Sequence, residues 1–396
     1  MAIDLWSSVL WACVFWACLG VLAFTYLGYP LVLAVKAAGR AEPMTRIREA
    51  ARTVPVDVLL VVHDAAPQLA RKLDNLVALD YPSGQLRINV VCDGCTDATE
   101  EVARNHPSPR IRVFAFPERA GKSACIDRVL ARLDAEIVLF TDVRQPLASN
   151  ALDALVAAFA EPGVGAASGE LVILHPEGFA RGVDAYWRYE KQIRRLESAT
   201  GSMVGATGAL YAARRSAIGD VPAGLILDDM WIPLQIAAQG YRVVFVPEAI
   251  AYDHGSPDAA AEETRKRRTL AGNYQLIHRW PALALPWGHP LAWRLWGHKW
   301  LRLIAPWMLL SALASSAVLA VGGDALYQAL LALQLAAYAT ALVGRASPLI
   351  ARAFMPARLA AAFLSLNASA MLALSDYLRR PDAHLWQTTR YPEQPR

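Results

Sequence analysis

Between Leu5 and Val35 the chain has no Asp, Glu, Lys or Arg. A helix needs only about 20 apolar residues to cross the hydrocarbon core, so this stretch excludes a wholly soluble chain. No basic segment precedes it and no small-x-small site bounds a short apolar core, which argues against a cleaved signal peptide. An anchor over residues 1–36 is expected. Cysteine is also scarce: five in 396 residues. Cys13 and Cys18 fall in the apolar run, and Cys92, Cys95 and Cys125 in the polar middle, so no disulfide framework is expected. Cys92 and Cys95 have C-x-x-C spacing, but no second pair completes a zinc site. After the first apolar β-like run, His63-Asp64-Ala65-Ala66-Pro67 contains no glycine, which excludes the dinucleotide fingerprint, and no G-x-x-x-x-G-K-[ST] loop occurs. Lys and Arg number 39 against 35 acids, for a net charge of +4. They are spread along the chain and form no nucleic-acid footprint.

Hydrophobic residues, by contrast, make up 55% of the chain, and its mean hydropathy is +0.26. Three more uncharged runs, Leu303–Gly323, Ala325–Gly344 and Leu359–Ser375, predict about three membrane helices within residues 303–378. Ahead of them Trp293, Arg294, Trp296, Lys299, Trp300 and Arg302 interleave aromatic and basic side chains, as an interfacial helix over 281–302 would. Lys36, Arg40, Arg46, Arg48 and Arg52 follow the first span, so the positive-inside rule places residues 37–280 in the cytoplasm, on an inner or plasma membrane. Four complete crossings would put the polar tail, 379–396, outside, although it carries Arg379, Arg380, Arg390 and Arg396. Either the rule fails there or Leu359–Ser375 does not cross fully.

From Val56 to about Pro247, short β-branched runs alternate with helix-period segments, the pattern of a mostly parallel α/β sheet. Strands are predicted at Val56–Val62, Arg87–Cys92, Ile111–Phe116, Ile137–Thr141 and Arg242–Val246. Helices are predicted at Gln68–Ala78, Thr96–Asn105, Ser123–Leu133 and Asn150–Phe159, with Thr96 or Asp97 as an N-cap. Ligands of such sheets bind beyond the carboxyl ends of the strands. There the chain places His63-Asp64, Asp93-Gly94, Arg119-Ala120-Gly121-Lys122 and Asp142-Val143-Arg144. Carboxylates that could read a base and ribose thus lie beside cations that could hold a diphosphate.

Asp93-Gly94-Cys95-Thr96-Asp97, Arg119-Ala120-Gly121-Lys122, Phe140-Thr141-Asp142, Leu227-Asp228-Asp229, Gly240-Tyr241-Arg242 and Val246-Pro247-Glu248-Ala249 occur in that order. The series resembles the D-G-S-T-D, R-x-G-K, F-T-D and E-D...G-Y-R...P-E-A motifs of the inverting GT-A glycosyltransferases of family 2. That group includes cellulose, hyaluronan and poly-N-acetylglucosamine synthases. The resemblance covers about Val54 to Gln275 and implies a GT-A domain set between transmembrane helices. It also implies a UDP-sugar donor, a membrane-associated glycan or lipid acceptor, and a role in cell-envelope or extracellular polysaccharide synthesis.

Carried over residue by residue, the resemblance implies that Asp64 and Asp93 contact the nucleoside and that Lys122 lies near the nucleotide. Asp142 takes the first D-x-D position and is the candidate ligand of a divalent Mg²⁺ or Mn²⁺. Asp229 becomes the general base, Asp228 supports the acceptor side, and Arg268 faces the leaving diphosphate. Two departures stand out. Arg144 occupies the second D-x-D position and cannot ligate a hard cation, so the metal would be held by Asp142, diphosphate and water, or replaced in part by the guanidinium. In Arg265-Lys266-Arg267-Arg268-Thr269, which takes the place of Q-x-x-R-W, Thr269 replaces the acceptor-stacking tryptophan and Arg265 the glutamine.

Overall fold

The computed structural model describes residues 5–39, 54–174, 181–254 and 259–379. Arg40, Arg46, Arg48 and Arg52, and the tail from Arg380 onward, lie outside them. Seven strands, β1 (Val56–Val62), β2 (Leu86–Asp93), β3 (Ile111–Phe116), β4 (Ile137–Thr141), β5 (Val164–Leu174), β6 (Leu210–Arg214) and β7 (Arg242–His254), form one sheet in the order β3-β2-β1-β4-β6-β5-β7. The pairs β3-β2, β2-β1, β1-β4 and β5-β7 are parallel, whereas β6 runs antiparallel between β4 and β5.

The helices, in chain order, are α1 (Leu5–Ala37), α2 (Ala66–Val77), α3 (Thr99–Arg104), α4 (Lys122–Leu130), α5 (Ala151–Ala157), α6 (Arg181–Ala199), α7 (Asp228–Ala238), α8 (Ala259–Arg279), α9 (Ala292–Val321), α10 (Ala325–Ala346), α11 (Pro348–Ala353) and α12 (Met355–Arg379). Side chains alternate across a strand, and β1 shows it. Val56, Val58, Leu60 and Val62 enter the core under α2 and α5, while Leu59 and Val61 enter the one under α4 and α7.

The β5 and β6 segments are not among the strands predicted from sequence. Small residues hide β5: a Cβ on Gly165 would lie 2.5 Å from Ile236, and one on Gly169 2.5 Å from the Ala249 carbonyl. Close approach, rather than β-branching, selects its composition. The helix expected from Thr96 begins at Thr99 with Ala98 as its cap. Thr96 instead donates its backbone N–H and its hydroxyl to Asp64, at 2.7 and 2.9 Å.

Among the described residues four helices, α1, α9, α10 and α12, are long and apolar enough to cross a membrane. The 281–302 segment is not a separate interfacial helix. After a short turn at Pro281–Ala284, the chain from Ala292 runs directly into the apolar α9, and Arg294, His298 and Trp300 are buried. The reason is a polar clamp. Tyr29 on α1 donates to Glu197 of α6 at 2.5 Å. The two ring nitrogens of His298 face Glu197 and Glu190 at 3.0 and 2.6 Å, and Arg302 donates to Glu190 at 2.7 Å. Burial pushes the Glu190 carboxyl up, but Arg302, His298 and Lys299 outweigh it and hold the group well below its ordinary value. Gly297 lets Tyr29 approach, since a Cβ there would lie 2.1 Å from its ring.

The C-terminal half of α12 stays beside the α/β domain. Arg345, at the end of α10, donates to Ser365 in the middle of α12 and lies 3.9 Å from Glu263 of α8. Near the C-terminal end of α12 Asp376 accepts two hydrogen bonds from Arg267 of α8, at 2.8 and 2.7 Å. A bidentate pair of this kind is stronger than a single surface contact. Reversing Arg267 alone (Arg267→Glu) is expected to lower Tm, and adding Asp376→Arg to restore it. The coupling energy should be about 1 kcal/mol, read by a double-mutant thermal-unfolding cycle.

Candidate functional site

Three segments deliver charged groups to one point at the carboxyl edge of the sheet. Gly121, at φ +90°, turns the chain into α4 so that Lys122 opens the helix. Asp142 follows β4 directly, and Asp228 and Asp229 open α7. Lys122 Nζ lies 2.8 Å from Asp142 Oδ1 and 3.5 Å from Asp228 Oδ2. Burial favours the neutral amine, but Asp142, Asp228 and Asp229 together outweigh it and push the Lys122 pKa up. Arg268 on α8 faces the same carboxylates; burial lowers its pKa while Asp142, Asp228 and Asp229 oppose the shift.

Asp229 is pushed up to about 6, first by burial and then by the neighbouring Asp228 charge, with Asp142 adding to the shift and Lys122 and Arg194 opposing it. Its Oδ2 accepts the Gly208 backbone N–H at 3.1 Å. A Cβ at residue 208 would lie 3.2 Å from that oxygen, a tight contact that would press on the carboxylate. Asp228 does not open toward a separate surface: it is buried and faces Lys122.

Asp93 is fully buried, and its two oxygens accept the backbone N–H groups of Ala120 and Gly121 at 2.7 and 2.9 Å. The carboxylate therefore anchors the loop that carries Lys122. Gly94 makes the approach feasible: its φ is +59°, and a Cβ would lie 2.6 Å from the Arg119 nitrogen. Asp64, whose side chain is 34% exposed, keeps its place at the rim. Hydrogen bonds from the Thr96 backbone lead the effects that lower its pKa. His63, Asp64 and Cys95 bring ligand-type atoms within 4.8 Å of one another. Both Asp64 oxygens are already engaged by Thr96.

Arg144 does not point into an acidic pair for a metal. Its Nη2 lies 2.6 Å from Oδ2 of Asp253, a buried carboxylate near the end of β7 that also accepts from Gln145 at 3.1 Å. Asp142 remains the carboxylate with room: its side chain is 42% exposed, and Oδ2 makes no hydrogen bond among the described residues. One protein ligand for a divalent cation fits there, and a second from residue 144 does not.

Sequence reasoning missed four contributors. Lys72 sits at a core position of α2, among Leu69, Leu73 and Leu76, and its ammonium donates to Thr141 and to the Gln145 carbonyl beneath Asp142. Burial lowers its pKa to about 7, against the pull of Asp142. A lysine on an apolar helical stripe was a readable signal. Asp253 lies beyond the last predicted strand, Arg242–Val246, in the part of β7 that the sequence reading did not extend to. Gly208 and Arg194 lay in segments without a motif.

A family model described as glycosyltransferase-like family 2 matches residues 55–280. An N-acetylglucosaminyltransferase of Rhizobium sp. (strain N33) is 26% identical over 215 residues, 50% of this chain and 47% of that protein. A beta-monoglucosyldiacylglycerol synthase of Nostoc sp. is 24% identical over 261 residues, 63% of this chain and 56% of that one. The chain thus spans about half the length of the curated relatives it matches. Among solved structures, the mannosyltransferase PcManGT from Pyrobaculum calidifontis, in complex with GDP-Man and Mn²⁺, has a TM-score of 0.68 at 24% identity. That likeness covers 92% of this chain and 99% of the other. It extends the shared fold beyond the sheet into the apolar helices. Because the family match takes in more than half of the residues and contains every strand of the sheet, this chain belongs to glycosyltransferase family 2, with a GT-A domain joined to membrane-type helices.

Proposed function

We propose that the chain is an inverting glycosyltransferase that moves a sugar from a UDP-sugar to a hydroxyl of a membrane-associated glycan, lipid or lipid-linked acceptor. The observation that carries this reading is the meeting of Lys122, Asp142, Asp228 and Asp229 at the carboxyl edge of the sheet. The relatives support it: one is named for N-acetylglucosaminyl transfer, the other for synthesis of a glucosylated diacylglycerol.

In a single displacement the acceptor oxygen bonds to the anomeric carbon as the bond from that carbon to the UDP oxygen breaks, which inverts the configuration. The acceptor proton passes to Asp229. A carboxylate with a pKa of about 6 is ionised at neutral pH yet more basic than an ordinary aspartate, which suits a general base. Lys122 and Arg268 face the same point and stabilise charge growing on the leaving diphosphate without reorganising. Asp64 stands at the nucleoside end, and Asp93 acts through the Ala120-Gly121 loop. A divalent cation, held by Asp142 with diphosphate and water, would add positive charge at that oxygen cluster. Arg144, fixed by Asp253, supplies a permanent charge nearby.

The domain is assigned to the cytoplasmic face. Lys36, at the end of α1, stacks over Trp293 at 4.3 Å on the domain side, in keeping with the positive-inside rule. With Ala370, Asp376 and Tyr377 of α12 held against α8, this helix does not complete a crossing.

Asp229→Asn should reduce sugar transfer by about 10³-fold or more while leaving UDP-sugar affinity within about twofold, read by product formation and by direct binding. Unchanged turnover would remove Asp229 as the base. Activity should rise as pH passes upward through about 6, because the deprotonated carboxylate is the active form. That limb should be absent from the residual activity of the variant.

Nucleotide release from membranes, measured over a panel of UDP- and GDP-sugars with and without chelator, should single out a UDP-sugar and fall with chelator. Selective release with a GDP-sugar would overturn the donor assignment.

A further inference from the structure

Asp229 stands in the first turn of α7, and that turn has no side-chain cap: Leu227, at the cap position, offers no acceptor. The place where α7 begins is set from outside the helix, by straps on the loop before it. From α4, Asp127 accepts the Val221 N–H and Ser123 accepts the Leu225 N–H, each at 3.0 Å. From α8, Arg279 donates to the Ala223 carbonyl at 2.9 Å. The amide of Gln275, also on α8, donates to the Gly224 carbonyl at 2.8 Å and accepts the Ile226 N–H at 2.9 Å.

Gln275 differs from the other straps. It is buried, and its single planar group engages two backbone groups of the loop at once, so it fixes the loop's direction as well as its distance. A side-chain amide offers a donor and an acceptor side by side, as a peptide group does. Gly272, one turn back on α8, lets Leu227 seat against the helix, since a Cβ there would lie 2.5 Å from the Leu227 side chain. Arg268 lies one further turn back. Residues spaced i, i+4 and i+7 share a helix face, so the face of α8 that carries Arg268 also holds the loop leading to Asp229. The far side of Asp229 is fixed independently: its carbonyl accepts the Ala206 N–H at 2.8 Å, and its Oδ2 accepts the Gly208 N–H at 3.1 Å. Asp64, at the nucleoside end, is held separately by Thr96.

We propose that Gln275 is a positioning residue for the transfer step: by holding Gly224 and Ile226 it sets where α7 begins and so fixes Asp229 relative to Lys122. The assignment rests on the reading of Asp229 as the base. Ser123 follows Lys122 directly, so the same loop ties the base to the helix of the cation. Gln275 thus acts on removal of the acceptor proton and not on donor binding. A displacement of about 1 Å at a reacting group can cost about 10²-fold in rate, and releasing two of the loop's backbone groups gives it that latitude.

The full chain is purified in detergent and returned to vesicles of total lipid from the expressing cells, and nucleotide release is followed with the UDP-sugar that the donor panel selects. Gln275→Met keeps the length of the side chain and removes both hydrogen bonds. It should lower kcat about 10²-fold while the Kd for that UDP-sugar stays within about twofold. Turnover is counted per UDP-sugar site titrated, so unfolded protein does not enter the rate. Ser123→Ala should lower kcat about tenfold, and the double variant should lose less than the product of the two losses, because both side chains hold one loop. A kcat per site within about threefold of the unaltered protein in Gln275→Met, a donor affinity that falls in step with kcat, or losses that multiply in full would each overturn the proposal. Asp229→Asn in the same assay separates the two readings. Unchanged release there fails the base assignment and this one with it, whereas loss there beside full turnover in Gln275→Met fails the positioning role alone.

Discussion

The ammonium of Lys122 makes the rest of the site feasible. Three carboxylates from two separate segments converge on it, and without a cation among them their mutual repulsion in a buried setting would force protonation or drive the segments apart. The cation does not cancel the field evenly. It takes Asp142 at hydrogen-bond distance and Asp228 a little farther away, and it leaves Asp229 with its pKa raised to about 6. One of three chemically similar side chains is thereby set apart as the more basic one, and the difference comes from placement. The loop that presents Lys122 depends in turn on Asp93, whose carboxylate is spent on the Ala120 and Gly121 amides.

Much of this was legible from the residues because strand ends are conspicuous. β1, β3 and β4 are apolar runs that stop at polar residues, and they lie where their β-branched composition places them. The antiparallel β6 and the long β5 were not legible. Their small residues answer to distant neighbours such as Ile236 and Ala249, which no local pattern reveals. The same limit applies within the site. Lys122, Asp142 and the Asp228-Asp229 pair carry charge at predictable positions, whereas Gly208 matters through a single backbone N–H and the absence of a side chain. The motif around Asp93 located the residue but not its partners, since turning toward a base or toward a loop depends on how Gly94 folds the chain.

Arg144 shows how a departure from a family pattern can be absorbed. A guanidinium in place of a carboxylate alters the local charge by two units, and the fold meets it with Asp253, reached from the far edge of the sheet. Gln145 shares that carboxylate, and Lys72 holds the Thr141–Gln145 turn from below. The substitution is thus part of a set, and Asp142 is left as the one carboxylate of that turn with open space before it.

The clamp of Tyr29, Glu197, His298, Glu190 and Arg302 joins the first apolar helix, the domain and the start of the second apolar helix, α9, through buried hydrogen bonds. On the proposed membrane-bound reading this joint sets the height of the reactive edge above the lipid, so a group is reached only if its own tether stands it that far off the bilayer.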